Sequence, residues 1–196
     1  MAVAEGGSEP VAQRNVILTT SRLVLTSWLD TDVDALLEVH SDPATMTYVR
    51  SGRPETRAET EQLVEQYIAE HAIRGWTKWR LADHDGRLLG RAGFGGQDDD
   101  RGLSYLIRRT HWGQGLATEI AEALVEWHLD HAAGAQLHAL VAVGNDASAR
   151  VLEKVGFDEV GTKDYAGTRC RVFSRSAPAW CDVTPMSSWH GVAPNH

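Results

Sequence analysis

Residues able to do chemistry gather first in the stretch "RRTHWGQGLATE", Arg108 to Glu119. Gly113 and Gly115 stand just ahead of an amphipathic run. Glycine there is costly unless the backbone must bend sharply or something must approach it closely. A strand, a short glycine turn and a helix start together make an anion cradle. The first-turn N–H groups lack helical partners, and the positive end of the dipole lies beside them. A second group follows one helix and one strand later, in "NDASARVLEKVGF", with Asn145, Ser148, Arg150 and Lys154.

The elements that must position these groups read as follows. "RLVLTSWL" (22–29) alternates and is rich in Leu and Val, as a strand would be. Asp30 is then the expected cap of a helix carrying Val33, Leu36, Leu37 and His40, and Pro43 ends that helix or starts a short new one. A second helix over 54–75 has Leu63, Tyr67 and His71 on one stripe, acids in its first turns and Gly75 at its end. Three strands follow in "WTKWRLAD", "RLLGRAGFGG" and "GLSYLIRR", the first two joined by a hairpin turn at Asp85-Gly86. Trp76 and Trp79 are core residues by type.

After the glycine turn, Leu116, Ile120, Ala123, Leu124 and Trp127 mark a helix reaching about His131. "QLHALVAV" is a buried strand, and Asn145 and Gly156 bound a short helix. "FDEVGTK" and "TRCRVFSRS" form a last pair around "YAG". The predicted class is α/β or α+β: one domain with a mixed, mostly antiparallel sheet flanked by about four helices. Its expected limits are a free arm at 1–15, the domain at 16–177 and an irregular tail at 178–196.

Composition narrows the partners. With 196 residues, 42% of them hydrophobic, the chain can build one sizeable core but hardly two. A net charge of −8 argues against nucleic acid as a partner and is compatible with cationic amines. No apolar run is long enough to span a membrane, and the N-terminus lacks the apolar core of a secretory signal. Cys170 and Cys181 match no metal-ligand spacing and read as reduced thiols of a cytoplasmic protein.

Two nucleotide motifs are excluded. No Gly-Lys-Ser or Gly-Lys-Thr occurs for a Walker loop, and the Gly-Gln-Gly follows an antiparallel meander rather than the first strand of a dinucleotide fold. Taken with its neighbours, the sequence instead resembles the GNAT superfamily of N-acetyltransferases, in the branch that includes the N-terminal acetyltransferases of ribosomal proteins. "WGQGLATE" resembles that branch's acyl-CoA loop, "NDASARVLEKVGF" its following Asn-to-Gly-Phe motif, and "TTSRLVLTSWLDTDVDALLEVHSDP" its opening strand and helix. The likeness runs from about Thr20 to Phe173.

The resemblance implies acetyl-CoA as co-substrate, no metal, and direct acetyl transfer to a primary amine, either a protein N-terminus or a small molecule. It implies a phosphate loop of Trp112, Gly113, Gln114, Gly115, Leu116, Ala117 and Thr118, with backbone N–H groups around the pyrophosphate. Ile107, Arg108 and Arg109 would bond the pantetheine amides through their backbone, beside a sheet that splays open. Asn145 would bind the same arm or simply cap its helix, and Arg150 and Lys154 would meet phosphate or solvent. Many members carry a Tyr acid where this chain has Leu152, which leaves Ser148 as candidate proton donor to the thiolate, or as a helix-start residue. Dimers are common in the branch.

A neutral amine is the nucleophile, so a proton acceptor is expected. Glu119 and His138 are the candidates; Glu119, on the phosphate helix, fits orienting the loop better than proton transfer, and His138 could be structural. His111 could touch phosphate or solvent, and Ser104 stands where several relatives have an acid. Tyr48, Arg53 and Tyr165 are candidates to line the acceptor cleft. Transfer of a larger acyl group such as succinyl, or a non-catalytic acyl-CoA-binding module, are the alternatives.

Overall fold

The computed structural model describes residues 13–50, 52–97, 100–132 and 136–175. Its strands are β1 (Val16–Thr19), β2 (Val24–Thr26), β3 (Lys78–Ala82), β4 (Leu88–Gln97), β5 (Asp100–Ile107), β6 (Leu137–Ala142), β7 (Asp158–Tyr165) and β8 (Thr168–Arg175). They form one sheet in the order β1-β2-β3-β4-β5-β6-β8-β7. Every neighbouring pair is antiparallel except β5 with β6. That parallel pair is joined only at Arg101–Leu137 and Gly102–His138, so the two strands part company immediately afterwards.

Five helices cover the sheet: α1 (Val33–His40), α2 (Pro43–Met46), α3 (Arg57–Arg74), α4 (Leu116–His131) and α5 (Asp146–Lys154). The larger core joins Ile120 and Leu124 of α4 and Ala149 and Leu152 of α5 to Leu103, Ile107, Leu137, Ala139, Val141 and Phe173. A second core on the opposite face joins Leu36, Val39, Leu63, Val64 and Tyr67 of α1 and α3 to Leu88 and Leu106. Along β5 the odd residues therefore face α4 and α5, and the even ones face α1 and α3.

Helix ends follow local chemistry. Thr56 and Glu59 form a reciprocal capping box at the start of α3, and Gly75 closes it with φ 74°. The helix thus begins at Arg57, because Pro54 and Glu55 lie ahead of the cap. Pro43 starts α2 rather than ending α1, with Asp42 accepting from the Ala44 and Thr45 amides.

Three expectations need correction. The strand read over 22–29 is extended only at Val24–Thr26, and its antiparallel partner β1 lies upstream, in a run too short to show a period. Asp30 does not cap α1; it opens a short 3-10 turn, and Asp32 accepts from the Leu29 amide. Arg14, placed in the free arm, donates to both Asp32 oxygens at 2.5 and 2.6 Å, so the ordered fold starts before residue 16. The tail at 178–196, Cys181 and the first twelve residues lie outside the described residues. Among the described residues no helix is long and apolar enough to cross a membrane.

Candidate active site

The glycine loop lies where the parallel strands diverge. After β5 a 3-10 turn at Arg109–His111 leads through Trp112 to Gly113 and Gly115, with φ 74° and 78°. Both glycines hold a left-handed conformation that other L-residues adopt at a cost. A side chain on Gly113 would meet nothing within 4 Å, and one on Gly115 only Arg22 Nη2 at 3.7 Å. The space that bare glycine keeps clear is therefore open. No side chain caps α4, and its first helical bond runs from the Glu119 amide to the Gly115 carbonyl. The amides of Leu116, Ala117 and Thr118 precede that ladder and have no helical partner. A pyrophosphate fits such a start.

Glu119 holds this loop in shape. Its Oε1 accepts from the Thr20 hydroxyl at 2.6 Å, the Ser21 hydroxyl at 3.0 Å and the Arg22 amide at 2.9 Å. Its Oε2 accepts from Arg22 Nε at 2.6 Å, and Arg22 Nη1 reaches the Gln114 carbonyl at 2.8 Å. Burial raises its carboxyl pKa, but the bonds from Thr20, Arg22 and Ser21 outweigh that and bring it down to about 2. An ionised carboxylate so fully hydrogen-bonded is a poor proton acceptor, and its contacts are those of a group that fixes the loop. Arg22 is the partner that sequence reading missed.

The backbone of Ile107, Arg108 and Arg109, expected to bond the pantetheine amides, makes bonds within the protein. The Ile107 carbonyl accepts from Trp112 Nε1 at 2.7 Å. The Arg108 amide donates to the Leu89 carbonyl at 2.7 Å, and the Arg109 amide to the Thr45 hydroxyl at 3.3 Å. These groups are spent within the protein. The free backbone edge lies a few residues earlier, on β5 beyond Gly102, where β6 has turned away.

Two hydroxyls meet inside that opening. Tyr105, on the α5 side of β5, stands 2.8 Å from Ser148 Oγ and donates to the Ser148 carbonyl at 3.1 Å. Burial pushes the Tyr105 phenol up to about 12, so it keeps its proton. Tyr105 was not singled out from sequence; its alternation with Leu103 and Ile107 marks its face but not its partner. Asn145 Oδ1 accepts from the Ser148 amide at 3.2 Å, which makes it the cap of α5, while its Nδ2 makes no hydrogen bond among the described residues. Leu152 is 1% exposed and packed in the larger core. Arg150 and Lys154 are exposed on the outer side of α5.

The acceptor candidates separate. Tyr48 donates to the Gly144 carbonyl at 3.1 Å, linking the segment after α2 to the turn before α5. Tyr165 is exposed at the tip of the β7–β8 hairpin, which runs past the end of β6 because Cys170 pairs with Ala142. Arg53 is instead tied to Glu59 through both terminal nitrogens at 3.1 and 2.5 Å, so it braces the start of α3 rather than lining a cleft. His138 lies on the α1–α3 face, its Nε2 3.0 Å from where a side chain on Gly102 would begin. Ser104 shares that face, and His111 Nδ1 meets the Thr110 hydroxyl at 2.9 Å. Among the described residues no three His, Cys, Asp or Glu side chains could hold a metal ion.

Comparison with known proteins agrees with this geometry. Residues 22–158 match the family described as acetyltransferase (GNAT) domain. The uncharacterized protein YkkB of Bacillus subtilis is 32% identical over 145 residues, covering 71% of this chain and 83% of that protein. An acetyltransferase of Salmonella typhimurium described as modifying the N-terminal serine of ribosomal protein L7/L12 shares the fold at a TM-score of 0.72 and 18% identity, covering 84% of this chain and all (100%) of the other. A structure of RimL, the ribosomal L7/L12 α-N-protein acetyltransferase, in complex with coenzyme A also has a TM-score of 0.72 and 18% identity, over 83% of this chain and 98% of the other. The open edge of β5, the uncapped glycine loop and the matched segment agree: this chain belongs to the GNAT family of acetyltransferases, which carry out acetyl-CoA-dependent acyl transfer.

Proposed function

We propose that this acetyltransferase moves an acetyl group directly to a primary amine at the parting of β5 and β6. The observation that carries the reading is the abrupt end of β5–β6 pairing beside an uncapped helix start. The amides from Gly113 to Thr118 hold the pyrophosphate, and the unpaired edge of β5 bonds the amides of the pantetheine arm. Asn145 Nδ2 adds a side-chain bond to the same arm. Bound acetyl-CoA supplies the activated acyl group.

Ser148 donates a proton to the departing sulfur. Tyr105 supports it: its phenol stays protonated, and that single proton can turn from the Ser148 carbonyl to Ser148 Oγ, which frees the serine proton to point away. His138 accepts the amine proton, because it stands on the acceptor side of the sheet beside the last paired residue of β5. No cysteine of the described residues lies in the loop, so transfer is direct rather than through an acyl-enzyme. Protein N-termini are one acceptor class, as described for the ribosomal-protein relative. The test is thiol release from acetyl-CoA over a panel of primary amines and short peptides, with calorimetry of acetyl-CoA binding. Saturable, amine-dependent release supports the reading; no binding at millimolar acetyl-CoA overturns it.

A further inference from the structure

The α1–α3 face of the sheet carries one buried and one half-buried cation, Arg91 and Lys78, and among the described residues neither makes an ion pair. Arg91 is 5% exposed, and its Nε is shut off from solvent with no hydrogen-bond partner. Among the described residues its guanidinium makes no hydrogen bond or ion pair. Its charge is felt at His40, Glu55, Tyr67 and Lys78, which places it on this face. Lys78 is its diagonal neighbour across β3 and β4, since Lys78 pairs with Gly93 and Arg80 with Arg91. The Lys78 ammonium lies 5.7 Å from the centre of the Tyr67 ring.

The carboxylates nearby are already committed. Glu55 accepts from His40 Nδ1 at 2.8 Å and from Arg50 at 3.2 Å. Glu70 accepts from Gln66 at 2.7 Å and Thr77 at 2.8 Å. Asp32 is held by Arg14 and Arg80. A buried guanidinium without a hydrogen-bonded anion is costly to fold around, and its fork suits a carboxylate. The floor beside them is bare. Gly95 and Gly102 pair across β4 and β5; Lys78 Nζ stands 3.0 Å from where a side chain on Gly95 would begin, and His138 Nε2 3.0 Å from the same point on Gly102. A strip without side chains therefore runs from Lys78 toward the edge where acyl transfer is placed.

We infer that Arg91 and Lys78 form a carboxylate-binding subsite of the acceptor face, filled by an acid group on the amine acceptor or on a dicarboxylic acyl group. The inference rests on acyl transfer at the β5–β6 opening. Arg91 supplies the fork, Lys78 a second charge, and the glycine strip the path to His138 and Ser104.

The test has two activity arms and one without turnover. The first compares amino acids with their amides as acceptors of acetyl from acetyl-CoA. The second compares succinyl-CoA with acetyl-CoA on an amine lacking other charges. In one arm the carboxylated member should lead by about 10- to 100-fold in kcat/KM, the worth of a hydrogen-bonded charge pair. That ratio should fall toward one in Arg91→Met. The third arm measures melting of the protein with succinate or an N-acetyl amino acid. These should raise the melting temperature of the wild type and not of Arg91→Met, while their amides raise neither. Arg91→Met removes a buried charge that makes no direct ion pair and should melt no lower than the wild type. If it does melt lower, Arg91→Lys, which keeps charge but not fork, carries the same comparison. No carboxylate preference in either arm, with no melting shift by either acid, overturns the subsite. If no amine is acetylated, the acetyl-transfer reading fails, and the melting arm still decides the subsite.

Discussion

Tyr105 and Ser148 place their hydroxyl oxygens 2.8 Å apart, although 43 residues separate them in the chain. One stands on the strand that opens the acyl-CoA edge, the other in the first turn of the helix facing it. Ser148→Ala should lower kcat roughly ten- to a hundredfold, at or below the low end of general acid catalysis, because a thiolate leaves readily. Acetyl-CoA affinity should stay close to wild type. Tyr105→Phe should cost about three- to tenfold in kcat, the worth of one neutral hydrogen bond. Steady-state kinetics with calorimetry checks both; a Ser148→Ala enzyme of normal kcat removes the pair from the mechanism. Leu152→Tyr is not a clean rescue, since Leu152 is enclosed in the core and a larger ring there would overpack it.

Gly115→Val should abolish acetyl-CoA binding. Gly115 sits at φ 78° with open space where its side chain would project, so a branched side chain both strains the turn and fills the anion's approach. In the wild type a saturating ligand that binds only the folded state raises the melting temperature. That increment should vanish in the variant. A folded Gly115→Val protein with unchanged affinity would put the phosphates elsewhere.

Much of this was legible in the chain, and the exceptions share a cause. Glycine turns, period-two runs and the Asn145 cap are local signals, and the element order followed from them. β1 was missed because Val16–Thr19 is too short to show a period, and its pairing with β2 is a contact, not a pattern. The partners of Arg53 and Glu119 cannot be seen from their own positions: Glu59 caps α3 and Arg22 stands far upstream. Arg91 alternates like any strand residue. Only the packed face reveals that its guanidinium has no hydrogen-bonded partner among the described residues.

Glu119→Gln should unfold more easily than the wild type at neutral pH. The folded carboxyl titrates at about 2, below its ordinary 4.5, so its contribution is present above pH 4.5 and is lost as pH falls from there toward 2. Thermal melts of the two proteins should therefore differ at pH 7 and converge as pH drops through that window. A constant difference at every pH would mean that the carboxylate charge does not hold the loop.

Lys78→Met gives the opposite pH dependence. Burial, reinforced by Arg91, lowers the Lys78 pKa from 10.5 to about 8. Between those values the unfolded chain holds a proton that the folded one lacks, so the wild type gains stability as pH rises through this range. Below pH 8 the ammonium is charged in both states, and the full cost of enclosing it remains. Lys78→Met should then melt higher than the wild type near pH 7, with the gap narrowing toward pH 10. A gap that widens with pH would contradict an ammonium whose desolvation outweighs the offsetting charge of Glu70.

The clamp on the glycine loop also bears on how the enzyme assembles. Thr20 and Arg22 reach Glu119 across 99 and 97 residues, and β2 beside them pairs with β3 more than fifty residues away in sequence. Closures of that length form slowly, after local helices and hairpins. The loop proposed to receive acetyl-CoA is thus shaped late, by a segment synthesised early that must wait for the rest of the chain. A protein shortened past Arg22 would keep every residue of the loop and lose the grip that shapes it.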